Sequence, residues 1–167
     1  GLNEYVTSAD TLSDSVLVSL QNQADYIIYK IGDGDNKTDI FDTSDWWGAM
    51  NSCSILEVFV RLFNLTQKKK YLDFAEYIIN KGFCRQLNLI DACLAKTYYP
   101  YQFPYTKAYE MMSCFEGLLE YYRIKKVDKF LLAVENFVDM VKETDLSIIG
   151  CSGCTHELFD NSAVKQT

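Results

Sequence analysis

The stretch DWWGAMNSCSILEVFVRLFNLTQKKKYLDFAEYI, residues 45–78, has the pattern of two helices joined by a short turn. Its first half is apolar on most sides through about Phe63, and Thr43-Ser44-Asp45 offers candidate N-cap residues for that helix. Its second half, residues 68–81, places apolar and polar side chains on opposite faces, and Gly82 marks the end. The stretch therefore predicts an αα-hairpin.

The same pattern recurs about 59 residues later, where helices are predicted over 106–124 and 127–144. Identical residues fall on each other at this shift: Ala49 and Ala108, Ser54 and Ser113, Glu57 and Glu116, Lys70 and Lys129, Leu72 and Leu131, Glu76 and Glu135. The chain therefore repeats one helical hairpin.

The remaining sequence adds helices and no strands. Apolar positions at helical spacing predict a helix over 9–31, and a short helix is expected near 87–95. Both prolines fall in the aromatic segment TYYPYQFPY, residues 97–105, which separates the two hairpins. We expect an all-α fold in which residues 1–167 form one domain of about three hairpins.

The two helices of each hairpin differ in polarity. The second helices are amphipathic and predict a solvated outer wall. The first helices carry one narrow polar line, which is Asn51, Ser54, Glu57 and Arg61 in one hairpin and Glu110, Ser113, Glu116 and Glu120 in the other. Such a line either borders a central water-filled cavity or simply touches outside solvent. The first case predicts an (α/α)₆ toroid, of which three hairpins make half.

Composition excludes several classes of function. A net charge of −7 argues against a surface that binds nucleic acid. No apolar run is long enough to span a membrane. The chain begins at Gly1 without a methionine, so a removed leader is compatible with it and the compartment stays open, whether cytoplasmic, periplasmic or secreted.

Four segments carry a family resemblance: DTSDWWGAMNSCSILE (42–57), LTQKKKYLDFAEYI (65–78), YPYQFPYTKAYEMMSCFEGLLEYYR (99–123) and IIGCSGCTHELFDNSAVKQT (148–167). In this order they resemble the catalytic (α/α)₆ barrel of the β-L-arabinofuranosidase-type glycoside hydrolases, family 127, and their relatives. The most specific part is KAYEMMSCFEGLLEYYR together with GCTHELFDNSAV. The resemblance implies a carbohydrate substrate.

The resemblance also implies a catalytic mechanism. Family members use a cysteine thiolate as nucleophile, a zinc ion held by cysteines and a glutamate, and a separate glutamate as general acid/base. The acid/base position matches Glu157. The nucleophile and the zinc ligands are expected beyond Thr167, together with the rest of the barrel and the accessory β regions. We therefore expect no metal or cofactor in this chain, zinc in the full-length enzyme, and no activity from the 167 residues alone.

Two residues of CTHELFD are candidates for the chemistry. Glu157 as an acid needs a raised pKa, which Leu158, Phe159 and Asp160 are expected to supply through apolar cover and a nearby charge. The alternative is an ordinary surface glutamate. His156, the only histidine, either contacts a sugar hydroxyl or has a structural role.

Candidate substrate-binding residues lie at the starts of the first helices. Trp46 is expected to offer a stacking face to a sugar ring, and one residue of the pair Trp46-Trp47 is expected in the core. Asn51 and Glu110 begin the two polar lines. The family's sugar-binding histidines are missing at these places, so specificity for arabinofuranose does not carry over. Segment 97–105 is either a rim above the sugar site or packing between hairpins.

The six cysteines are interpreted as free thiols, because their spacing is irregular and most lie in apolar surroundings. Cys151 and Cys154 have the spacing of a zinc knuckle or a redox pair. A knuckle needs a second pair, and a redox motif needs a strand before it and a helix after it. We therefore expect two free thiols in a glycine-rich turn.

Two other functions remain open for this sequence. One is a helical-hairpin module that binds a protein or peptide, and the other is a relative that has kept the fold and lost its activity. A half ring exposes apolar hairpin edges, so the chain is expected to form a homo-oligomer through them or to be partly unfolded.

Overall fold

The protein is described by a computed structural model that covers residues 11–153 and 155–164. Its helices are α1 (Thr11–Lys30), α2 (Met50–Cys53), α3 (Leu56–Thr66), α4 (Lys69–Lys81), α5 (Leu89–Ala95), α6 (Ala108–Lys125) and α7 (Asp128–Thr144). Within these ranges β-structure is limited to isolated bridges. The all-α prediction is confirmed. None of the helices described is long and apolar enough to cross a membrane.

The two predicted hairpins are α3–α4 and α6–α7, and their turns are built alike. Gln67 follows α3 and Lys126 follows α6, and both have left-handed φ values, 56° and 55°. The backbone N–H of Gln67 donates to the Phe63 carbonyl at 2.7 Å, and that of Lys126 donates to the Tyr122 carbonyl at 2.8 Å. Both pairs differ by the same shift in sequence, so the repeat is confirmed down to single hydrogen bonds.

The first helices of the hairpins, α3 and α6, pack directly against each other, while α4 and α7 pack on their outer sides. The two helices come very close at Gly117 of α6. A Cβ atom at this position would lie 2.8 Å from the backbone nitrogen of Glu57 and 2.8 Å from Cγ of Leu56. Glycine therefore allows the two inner helices to touch backbone to backbone.

The outer helices have the predicted amphipathic character. In α4, Tyr71 and Ile78 are fully buried, whereas Asp73 and Asn80 are exposed. α5 lies against α7, where the buried amide of Asn136 donates to the Cys93 carbonyl at 3.0 Å. The inner and outer arrangement therefore follows the predicted polarity.

One predicted helix is wrong: residues 45–63 do not form a continuous helix. Trp47, Gly48 and Ala49 all have left-handed φ values, 53°, 61° and 68°, inside a 3-10 turn over Trp46–Ala49. The Gly48 carbonyl accepts the backbone N–H of Arg85 at 2.9 Å, so a distant segment fixes this turn. Such long-range contacts override the local helical pattern, and periodicity alone does not reveal them.

The N-cap prediction for that helix also needs correction. Asp45 makes no capping hydrogen bond. Instead, Oγ of Ser44 accepts the backbone N–H of Trp46 at 3.1 Å and an amide N–H of Asn51 at 3.1 Å. Ser44 therefore fixes the entry into the turn.

The five described cysteines are free thiols, as expected. Cys53, Cys84, Cys93 and Cys114 are buried, and Cys151 is exposed. Burial raises the pKa of Cys53 and of Cys93 to about 12, so both are protonated at neutral pH. The prediction for Cys154 lies outside the described residues.

The α6–α7 hairpin leaves one apolar edge uncovered. A groove of about 390 Å³ runs between the two helices over the stacked rings of Phe115 and Phe137. Val138 on its wall is 39% exposed, whereas Ile79, at the equivalent position of α4, is 5% exposed. The face that is covered in the first hairpin is therefore open in the second.

Candidate active site

The indole rings of Trp46 and Trp47 lie where the first inner segment begins. Their ring centroids are 6.4 Å apart. Trp46 is 70% exposed, while Trp47 packs against the core. The left-handed turn causes this division, because it directs one indole outward and the next one inward. The division matches the expectation that one of the two residues belongs to the core.

Lys107 joins the starts of the two inner segments. It lies directly before α6, and its ammonium group is 5.3 Å from the centre of the Trp47 ring. The same ammonium group forms an ion pair with the carboxylate of Glu157. The Lys107 side chain is 13% exposed, compared with 71% for that of Glu157. We call Trp46, Trp47, Lys107 and Glu157 the Trp–Lys–Glu cluster.

Glu157 sits in a tight turn that is bonded to the start of α6. The turn is closed by the backbone N–H of Leu158, which donates to the Thr155 carbonyl at 3.0 Å. The Glu157 carbonyl accepts the N–H of Ala108 at 2.8 Å, and the N–H of Phe159 donates to the Thr106 carbonyl at 2.8 Å. These bonds bring residues 155–159 beside Lys107, although about 50 residues separate them in sequence.

The charge state of Glu157 differs from the expectation. The hydrogen bond and the positive charge of Lys107 lower the pKa of the Glu157 carboxyl group below its ordinary value. Apolar cover is not supplied by Phe159, because that ring is buried in the core, 6.0 Å from the ring of Phe137. The backbone N–H of Asp160 bonds to Asp145. In this arrangement Glu157 is ionised at neutral pH.

His156 precedes Glu157 in the same turn. Its side chain is exposed and its φ is 53°, in the left-handed region. The backbone therefore places His156 at the protein surface beside the Trp–Lys–Glu cluster, where a contact with a ligand is sterically open.

Asn51 and Glu110 occupy equivalent positions in the two repeats, one in α2 and one in the first turn of α6. Each has a buried side-chain oxygen, Oδ1 of Asn51 and Oε2 of Glu110, that lacks a hydrogen-bond partner among the described residues. Unpaired buried acceptors are costly, so each of these atoms calls for a donor such as a hydroxyl group or water.

The aromatic segment 97–105 contributes to packing at its end, and its role as a rim above a sugar site stays a prediction. Phe103 is buried, and Tyr105 packs on Gly48, where an added Cβ would meet its ring at 2.8 Å. Tyr98 is exposed, and the rings of Tyr99 and Tyr101 stack at 6.1 Å. The end of the segment therefore serves packing, and its beginning lies at the surface.

Zinc has no candidate ligand set in the described part of the chain. No group of three or more His, Cys, Asp or Glu side chains there is arranged to hold a metal ion. The described residues therefore do not fit the zinc site of the family.

The sequence reasoning missed Lys107 and Gly48. Lys107 stands between a threonine and an alanine, and no local pattern predicts its pairing with Glu157. Gly48 did carry a signal, since a glycine directly after two tryptophans is unusual inside a helix and indicates a turn.

Packed helical hairpins, an exposed indole and an ion-paired glutamate at the starts of inner helices define a helical-hairpin domain with a candidate carbohydrate site. In a comparison with protein-family models, residues 7–165 match "Beta-L-arabinofuranosidase, GH127 catalytic domain". The chain belongs to this family of glycoside hydrolases. The expected (α/α)₆ class agrees with the helical hairpins described above. Neither curated proteins nor solved structures gave a match.

Proposed function

We propose that this chain supplies the sugar-binding and proton-transfer part of a glycoside hydrolase site in the intact enzyme. One observation carries the proposal: Lys107, directly before the inner helix α6, contacts both the exposed carboxylate of Glu157 and the ring of Trp47, whose neighbour Trp46 presents an exposed indole. Indole faces bind the apolar faces of sugar rings, and carboxylic acids transfer protons to glycosidic oxygens. Family membership supports the same assignment.

Each residue of the site has a role in this proposal. Trp46 stacks on a sugar ring, and Glu157 donates a proton to the leaving oxygen and later removes one from water. The unpaired oxygens of Asn51 and Glu110 accept hydrogen bonds from sugar hydroxyl groups, and His156 contacts a further hydroxyl group. The cysteine nucleophile and the zinc ligands, where the intact enzyme has them, are residues other than those described.

Lys107 sets the charge state from which the reaction starts. Its ammonium group holds Glu157 as a carboxylate in the free protein, which suits removal of a proton from water. Glu157 as an acid requires protonation, which is more frequent below neutral pH. The reaction is therefore expected to be faster below neutral pH than above it.

The test of sugar binding uses the only two tryptophans of the chain, Trp46 and Trp47, as reporters. Titration with a panel of monosaccharides and p-nitrophenyl glycosides is expected to change their fluorescence. In calorimetric titrations with the best ligand, Trp46→Ala is expected to weaken binding at least about tenfold, because aromatic anchors carry much of the binding energy.

Tyr29→Ala is the matched control, since Tyr29 of α1 is also an aromatic residue with 70% exposure. It is expected to leave the affinity unchanged. Equal affinities of the wild-type protein and Trp46→Ala would remove Trp46 from the sugar site. The absence of any ligand across the panel would favour the alternative of a protein-binding module or an inactive relative.

Self-association through a hairpin edge also stays a prediction, and the α6–α7 groove is the surface concerned. The first hairpin shows what such a face accepts, because its inner helix α3 is covered by another inner helix, α6. A second copy of the chain supplies such a helix. The groove also carries Glu116 and Lys142, so in a two-fold dimer the glutamate of each copy would face the lysine of the other.

Sedimentation velocity of the 167-residue chain is expected to show a dimer. Val138→Glu is expected to weaken this dimer at least about a hundredfold, because a charge would be buried without a partner. Val18→Glu is the control, since Val18 is an exposed valine of α1. A wild-type chain that stays monomeric at high concentration, or a dimer that survives Val138→Glu, would contradict the prediction.

A further inference from the structure

The turn that carries Glu157 is conformationally costly. His156 and Glu157 both have left-handed φ values, 53° and 59°. They are the two central residues of the turn closed by Leu158 and Thr155. Turns with two such residues favour asparagine and glycine, and other residues cost free energy there. The surrounding structure therefore has to maintain this turn.

Only part of that support comes from the start of α6 and the residues just before it. The bonds of Ala108 and Thr106 hold the peptide groups of Glu157 and Phe159. They do not fix the chain after Phe159, where residues 160–162 leave the turn. Asn161 in this segment also has a left-handed φ, 60°, so a third left-handed residue follows the first two.

Asp145 holds this following segment. It is the residue directly after α7, and it is fully buried. Its Oδ1 atom accepts the backbone N–H of Asp160 at 2.8 Å and that of Ser162 at 3.4 Å. Its Oδ2 atom accepts the hydroxyl of Thr144 at 2.7 Å. One buried carboxylate thus connects the end of α7 to the chain that leaves the Glu157 turn.

We propose that Asp145 is the positioning residue for Glu157. By bonding to the backbone of residues 160–162, it keeps the strained turn closed and the Glu157 carboxylate beside Lys107. Asp145 acts through the backbone, so it takes no part in proton transfer. The catalytic consequence rests on the proposed function, whereas the effect on the position of Glu157 does not.

Asp145→Asn tests this role in the full chain. Asparagine keeps the size of the side chain but removes the charge, so the one oxygen that remains is a weaker acceptor for the N–H groups of Asp160 and Ser162. We expect the Ala108 amide, which bonds to the Glu157 carbonyl, to exchange its hydrogen at least about tenfold faster, the effect of losing a hydrogen bond to a charged group. The pKa of Glu157, followed by carboxyl NMR, is expected to rise towards its ordinary value as contact with Lys107 weakens.

Thr144→Val provides the control. It removes the hydroxyl bond to Asp145 and leaves the backbone bonds of Asp160 and Ser162 in place. We expect a lower melting temperature and an unchanged titration of Glu157. If Asp145→Asn likewise lowers the melting temperature and leaves the titration of Glu157 at its wild-type position, Asp145 is merely structural and the proposal is overturned.

A measurement on the wild-type chain gives a result even if the variant does not fold. The Asp160 amide is expected to be as protected from exchange as the Phe159 amide, since both are bonded. Exchange of Asp160 at the rate of an open loop would overturn the proposal. Turnover by Glu157 variants of the intact enzyme tests the proposed function separately, so failure of one is distinguishable from failure of the other.

Discussion

Gly117→Ala is expected to lower the free energy of unfolding by about 3 kcal/mol, the upper range for an added methyl group in a tightly packed core. The new Cβ atom would lie 2.8 Å from the backbone nitrogen of Glu57. Glu57 lies in the first turn of α3, and its backbone nitrogen does not move aside as a side chain does. The start of α3 and the middle of α6 would therefore have to move apart at this contact.

This expectation is opposite to the one from helix propensity. Inside an exposed helix, glycine to alanine stabilises by about 1 kcal/mol. Gly34→Ala serves as the control, because its Cβ would meet only the Lys37 side chain, at 3.6 Å. Urea unfolding of both variants, followed by circular dichroism, measures the difference. A Gly117→Ala protein as stable as the wild type would contradict the close packing of the inner helices.

The hairpins could be predicted because their determinants are local. Gly82 at the end of α4, with a left-handed φ of 74°, is the ordinary helix terminator that the sequence indicated. The amphipathic pattern of residues 68–81 similarly determines which face of α4 is buried. Features that depend on near neighbours in sequence are thus readable from sequence.

The break before α3 could not be predicted, because its cause is distant. Gly48 is held by Arg85 and packs against Tyr105, residues that lie about 40 to 60 positions later. A helical period in residues 45–63 carries no information about such partners. The consequence for the site is large, since this turn directs the Trp46 indole outward.

The candidate site divides in the same way. Glu157 and Trp46 were predicted from the resemblance and from residue type, and their roles stay predictions. The environment of Glu157 was missed, because a lysine placed 50 residues earlier determines its charge. The effect of a charge depends on distance in space. Lys107 and Glu157 come close together only because residues 155–159 are bonded to the start of α6 and the residues just before it.

Glu157→Gln is expected to abolish turnover by the intact enzyme and to preserve the fold. Loss of a general acid lowers kcat/KM by about 10²- to 10⁴-fold. The loss should be greater for alkyl glycosides than for p-nitrophenyl glycosides, because a poor leaving group depends more on protonation. Turnover is measured with both classes of glycoside, and circular dichroism checks the fold. Retained turnover of the alkyl glycoside would remove Glu157 from the acid role.

Lys107→Gln supplies the second half of this test, since it removes the charge that lowers the pKa of Glu157. An acid works in its protonated form, so activity falls as the pH rises through its pKa. Without Lys107 that pKa rises, and the descending limb of the pH profile is expected to move to higher pH. Lys129→Gln, at an exposed lysine of α7, should leave the limb in place. A limb that rises with pH would instead assign Glu157 the role of a base, and a limb that stays fixed in Lys107→Gln would show that another group controls the reaction.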